Sequence, residues 1–69
     1  MNTYKSEEFL SASIDRFGDS VYRLALCRLG READAEDVFQ EVFLRLFKSN
    51  TDFNDNEHLK AWLLRVTIQ

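Results

Sequence analysis

Apolar residues recur at three- and four-residue steps in three blocks of this chain, and short runs of turn formers separate the blocks. That spacing is the helical period, and no stretch alternates apolar and polar residues as a half-buried strand would. In the first block Phe9 or Leu10, Ser13 or Ile14, Phe17, Val21, Leu24 and Arg28 follow one another at helical steps, with Tyr22, Leu26 and Leu29 widening the stripe. Ser6 suits an N-cap, and Glu7 and Glu8 fall in the first turn, where the helix dipole favours anions. Gly30 suits the left-handed residue that closes a helix. The pattern predicts one helix from about Ser6 to Leu29, bent, if anywhere, at Gly18, after a frayed start over Met1 to Lys5. Asp19 and Ser20 offer the caps of the alternative, two helices in place of one.

The second block, DAEDVFQEVFLRLFK from Asp34 to Lys48, divides most cleanly. At about 100° per residue, Ala35, Val38, Phe39, Val42 and Leu46 share one side, with Phe43 on its edge. Asp37, Gln40, Glu41 and Lys48 fall on the other. Leu44 breaks the rule, because it lies among those polar residues, almost opposite the centre of the apolar stripe. A monomer gains little from a leucine there, so this outer face is a candidate docking surface. Asp34 with Asp37 resembles a capping box, which predicts a helix from Asp34 to about Ser49.

The polar run SNTDFNDN, Ser49 to Asn56, reads as a loop with Phe53 alone in its middle. Its first reading is a plug on the core; the second is an aromatic held ready for a base or a partner. In the third block Leu59, Trp62, Leu63 and Val66 stand at i, i+3, i+4 and i+7, a core stripe on a helix from about Asn56 to Gln69. Trp62 is first a core residue and second a ligand platform. His58, Lys60, Arg65 and Gln69 lie outside the stripe.

Composition keeps this picture at one small all-α domain. The 69 residues are 45% hydrophobic with nine aromatics, no proline and two glycines. A chain of this length buries only roughly 60% of the surface its unfolded form exposes. Cys27 stands in the apolar run YRLALCRL and is expected to be at least half-buried. No signal peptide opens the chain and no apolar run nears the ~20 residues of a membrane span, so no membrane contact and a cytoplasmic location are expected. The net charge of −3 argues against general coating of nucleic acid. That charge is concentrated: Arg31 to Glu41 holds one basic and five acidic residues, whereas the last twenty residues hold two basic and three acidic ones.

Enzymatic chemistry finds no footing. One cysteine and one histidine do not make a four-ligand zinc site. There is no glycine-rich phosphate loop and no nucleophile with a base at a recognisable spacing. The carboxylates Glu32, Asp34, Glu36, Asp37 and Glu41 are accounted for by the start of a helix without a metal. No cofactor, no metal and no catalytic activity are expected.

The residues do carry a resemblance. FGDSVYRLALCRLGREADAEDVFQEVFLRLFKS, then DF, then HLKAWLLRV, resembles region 2 of bacterial RNA polymerase sigma factors of the extracytoplasmic-function type, over about Phe9 to Gln69. The phrase DAEDVFQEVF is the most specific part. The resemblance implies a sigma region 2-like helical domain, regions 2.1, 2.2 and the start of 2.3, that docks on the coiled coil of the polymerase β′ clamp. By position, Asp37, Gln40 and Glu41 would meet that coiled coil, with Leu44 and Phe47 as apolar neighbours. The loop and third helix match the part that captures the melted strand of the promoter −10 element, and Phe53, Lys60, Trp62, Arg65 and Gln69 are the implied DNA contacts. Partners implied are the RNA polymerase core through β′, promoter DNA in the full-length protein, and an anti-sigma factor as a further class. Two features depart from the family. Gln69 stands where Asn is usual after WLLRV, and the rest of the third helix, with its basic positions and the second DNA-binding domain, is not in this chain. The expectation is therefore an N-terminal piece, truncated in its last helix, that docks on polymerase better than it reads a promoter. The competing reading is a generic helical interaction module whose Leu44 face pairs with itself as a homodimer or with another helix.

Overall fold

Three helices follow the three apolar blocks in the computed structural model, which describes residues 6–69. Helix α1 is Glu7–Leu29, α2 is Glu32–Lys48 and α3 is Asn56–Thr67. The described residues contain no strand, so the fold is all-α, as the spacing predicts. The frayed start expected over residues 1–5 lies outside the described residues.

Helix α1 runs unbroken for 23 residues. At about 1.5 Å per residue that is about 35 Å, so α1 sets the long dimension of a molecule measuring 39 × 21 × 21 Å. The Ser6 hydroxyl accepts the Phe9 N–H at 3.0 Å, the expected N-cap. Gly30 closes the helix at φ 76°, with its N–H on the Leu26 carbonyl at 2.7 Å. Gly18 interrupts the apolar pattern for a packing reason. It is buried, and a Cβ there would come within 3.3 Å of Phe39 Cε2, so its bareness lets α2 approach.

The two choices left open in the first block are both used. Phe9, Ser13 and Phe17 line a hollow with Asn56 and Leu59 of α3. Leu10 and Ile14 line another with Phe39 and Phe43 of α2. Ser13 can be buried because its hydroxyl donates to the Phe9 carbonyl at 2.8 Å. Further along, the expected stripe shifts: Ala25 is buried, Leu24 only half-buried, and Arg28 and Leu29 are exposed. Cys27 is exposed, not buried. It stands two residues beyond Ala25, about 200° around the helix from the column Phe17, Val21, Ala25.

Helix α2 begins two residues earlier than the capping-box reading predicts. Its N-cap is Arg31, in extended conformation and with no side-chain capping bond, and Asp34 lies inside the first turn beside Glu32. The left-handed Gly30 turns the chain so tightly that Ala35 N–H already reaches the Arg31 carbonyl at 2.9 Å. The acidic side chains complement the dipole without capping an N–H. Replacing Arg31 with Asp supplies the missing acceptor, and urea denaturation should show a gain of about 1 kcal/mol. An unchanged midpoint would show that another group already satisfies these amides. The C-terminal end falls at Lys48, with Ser49 as its cap residue.

Asp55 caps α3 by accepting the His58 N–H at 2.8 Å. The helix stops at Thr67 rather than Gln69. Its last turn is tightened by the buried Thr67 hydroxyl, which donates to the Leu63 carbonyl at 2.7 Å. All three helices feed one core of Phe17, Val21, Val42, Phe43, Leu46, Leu59 and Leu63. None of the described helices is long and apolar enough to cross a membrane.

Candidate functional site

Because α2 is packed on α1 and α3 by one side, its other side is left to solvent. Ala35, Val42, Phe43 and Leu46 are buried, whereas Asp37, Gln40, Glu41, Leu44 and Lys48 are exposed. Phe43, expected at the edge of the apolar stripe, is a core residue, and Val38 and Phe39 are the half-buried flank. Leu44 is 47% exposed. Glu41 is not idle: its Oε2 accepts from Arg45 Nε at 3.2 Å, one turn on, with both side chains more than half exposed. Such a pair contributes only about 0.3–0.5 kcal/mol, so a partner's cation can displace Arg45 at small cost.

Leu44 does not stand alone. With the half-buried Phe47 and with Leu10 and Ile14 from α1 it rims a hollow of about 280 Å³ floored by Phe39 and Phe43. The two phenylalanine rings meet tilted at 4.9 Å. Toward the other end of α2 the α1–α2 crevice widens to about 440 Å³ and turns acidic, lined by Asp15, Asp19, Tyr22, Glu36 and Gln40. Tyr22 feels that environment. Loss of solvent first, then the charges of Glu32 and Glu36, hold its phenol above the ordinary tyrosine value. Gln40 borders both hollows. The face therefore grades from carboxylates to hydrocarbon along α2. Among the described residues no group of three or more His, Cys, Asp or Glu side chains is placed to hold a metal ion.

The second cluster lies where the loop meets α3. Phe53 is half-buried and meets Trp62 edge-on at 5.6 Å and His58 edge-on at 5.2 Å. Phe53 thus packs on α3, as the plug reading expects, while remaining half-exposed. Trp62 is likewise half-buried, and Leu59, Leu63 and Thr67 take the centre of the α3 stripe. Arg65, three residues after Trp62, shares its side of the helix and is exposed. Lys60, two residues before Trp62, points roughly 160° away, and Gln69 lies past the last helical residue. Phe53 and Trp62 are brought together, with Arg65 on the same side of α3; Lys60 is not.

Three contributors escape inspection of the sequence: Leu10 and Ile14, which reach the Leu44 hollow from another helix, and His58, which stands one turn before Trp62. Only the four-residue step from His58 to Trp62 hinted at the last of these.

The sequence matches the sigma-70 region 2 family over residues 14–69, which takes in most of α1 and all of α2, the loop and α3. The chain belongs to that family. Among relatives of this region 2 domain, the extracytoplasmic-function RNA polymerase sigma factor SigW of Bacillus subtilis is 34% identical over 53 residues, covering 77% of the chain and 28% of SigW. The corresponding factor SigE of Mycolicibacterium smegmatis is 39% identical over 54 residues, covering 78% of the chain and 21% of SigE. The chain thus spans about a quarter of the length of these relatives. No solved structure matches it at a significant level.

Proposed function

We propose that this domain is the polymerase-docking part of a transcription initiation factor, with α2 as the element that binds and the loop with α3 as the element that meets melted promoter DNA. It has no catalytic role in this reading. The observation that carries the proposal is the outer face of α2. Asp37, Gln40 and Glu41 stand exposed beside Leu44, and Leu44 and Phe47 rim an apolar hollow. Membership of the family supports RNA polymerase as the partner of that face, and the part of it assigned in this proposal is the coiled coil of the β′ clamp. Carboxylates and an amide on one helix suit Arg and Lys on another, and an apolar anchor seated in a hollow supplies the desolvated centre such contacts need. Phe53, Trp62 and Arg65 suit a single strand in the same way, with rings for stacking and a guanidinium for phosphate or base. In the longer protein they would help recognise and open the −10 element. Regions 2.1 and 2.2 correspond in this proposal to α1 and α2, and α3 to the start of region 2.3. An anti-sigma factor would compete most directly by covering the same face of α2.

The test is a double substitution. Gln40→Ala with Glu41→Ala removes the central polar pair, and with it the bond to Arg45, at positions where alanine keeps the helix. Circular dichroism should be unchanged, while affinity for an isolated β′ coiled-coil peptide should fall about tenfold, or roughly 1.4 kcal/mol. Full binding by the double variant would remove α2 from the docking role.

A further inference from the structure

Three consecutive residues, Phe53, Asn54 and Asp55, converge on one residue of α3. Phe53 sets its ring against the His58 imidazole, with centroids 5.2 Å apart and planes at 68°. The Asn54 N–H donates to His58 Nδ1 at 3.2 Å. Asp55 Oδ1 accepts the backbone N–H of His58 itself at 2.8 Å. Phe53 also meets Trp62, one helical turn beyond His58, at 5.6 Å and 74°. The loop therefore enters α3 pinned through ring, backbone amide and carboxylate at a single residue.

From this geometry we propose that His58 is a positioning residue. It holds Phe53 against itself and Trp62 and fixes the Asn54 backbone, so that the loop presents a set surface to single-stranded DNA. The DNA half of the statement rests on the function proposed above; the clasp itself does not. The chemistry is specific to imidazole. Nδ1 must carry a lone pair to accept the Asn54 N–H, which places the ring proton on Nε2. The ring must also be aromatic and flat to offer an edge to Phe53. Phe and Trp offer a ring without an acceptor, and the Tyr oxygen lies at the far end of its ring, so imidazole alone offers an acceptor at the δ position of an aromatic ring. The Asp55 cap uses the main chain of residue 58, so it survives any substitution there and α3 keeps its start. Prior ordering of the loop lowers the entropy lost on binding, and this is how a residue that need not touch DNA can govern its affinity.

The test separates ring, acceptor and DNA. His58→Ala removes both functions, His58→Phe keeps a ring without an acceptor, and His58→Asn keeps an acceptor near the place of Nδ1 without a ring. Long-range nitrogen–proton NMR on the unaltered chain should show the Nε2–H form of His58. Exchange of the Asn54 amide should quicken in the Ala and Phe variants and return toward normal in the Asn variant, while helix content stays constant. Affinity for a fluorescein-labelled single-stranded DNA oligonucleotide should fall on the order of fivefold to tenfold in the Ala variant. Binding to the β′ coiled-coil peptide should not move. Asn54 exchange that is equal in all four proteins would overturn the clasp. Quickened exchange with undiminished DNA affinity would overturn the positioning role and leave a purely structural contact. If the unaltered chain binds no single strand, the DNA half of the proposed function fails, and the clasp is still decided by the amide.

Discussion

Leu46→Ala should cost about 3 kcal/mol and leave much of the protein unfolded at moderate temperature. Leu46 is completely buried in the last turn of α2, in one cluster with Phe17 and Val21 of α1 and Leu59 and Leu63 of α3. Removing its isobutyl group forfeits transfer energy and leaves a cavity where the three helices meet, and substitutions of this kind cost 2–5 kcal/mol. A domain of 69 residues has roughly 3–10 kcal/mol in all. The loss is therefore a large fraction of the total, and urea titration followed by circular dichroism should show the midpoint collapse. Leu63→Ala should behave alike, because Leu63 is equally buried on α3. Leu44→Ala, two residues from Leu46 but 47% exposed, should change stability by less than about 1 kcal/mol. Comparable losses at positions 44 and 46 would mean that the inner and outer faces of α2 are wrongly divided.

That division was legible in the sequence because α2 is long enough for period to decide. Its 17 residues give more than four turns, and the polar positions Asp37, Gln40, Glu41 and Lys48 repeat at helical steps. The boundary between faces was less legible. Leu44 is exposed as the wheel predicts, but Phe43, expected only at the edge of the stripe, is 3% exposed, while Val38 and Phe39 inside the stripe are half-buried. Which flank of the stripe is fully covered depends on where α1 and α3 lie, and the period of one helix does not contain that. The start of α2 failed for a related reason. Asp is favoured both as an N-cap and within the first turn, so Asp34 could not say which place it held. Gly30 decided it by closing α1 in the left-handed region and leaving Arg31 as the one extended residue before α2.

The candidate sites divide in the same way. Exposed polar residues on one helix could be found by spacing, and all of them lie where they were expected. The Leu44 hollow could not, since Leu10 and Ile14 complete it from another helix, at positions far from Leu44 in sequence. Nor did spacing join Phe53 to His58 and Trp62, because the loop between Ser49 and Asp55 has no period to follow. Gly18 shows the reverse case. By propensity it is a weak point costing roughly 1 kcal/mol in a helix, whereas in the structure it is where Phe39 packs closest to the α1 backbone.

Leu44→Arg should abolish most docking on the β′ coiled coil while leaving the fold intact. The side chain stands at the rim of the hollow with Phe47, Leu10 and Ile14, so arginine removes the apolar anchor and places a cation where the proposed partner offers cations. Loss of a central anchor typically costs 2 kcal/mol or more, which is a factor of about 30 in affinity. The helix tolerates the change, because arginine is a good helix former and position 44 is half exposed. Leu44→Met keeps an apolar side chain of similar volume and should bind almost normally. Titration of a β′ coiled-coil peptide by calorimetry, with circular dichroism and size-exclusion chromatography on each variant, makes the measurement decisive between two occupants of the same face. If Leu44 anchors polymerase, the arginine variant loses the peptide and elutes as the unaltered chain does. If the hollow instead receives Leu44 from a second copy, the unaltered chain elutes as a dimer, the arginine variant as a monomer, and peptide affinity does not follow the substitution. Retention of both peptide binding and elution position would show that the exposed leucine serves neither partner, and the docking face would then have to be sought at the acidic end of the α1–α2 crevice, where Asp15, Asp19 and Glu36 stand together.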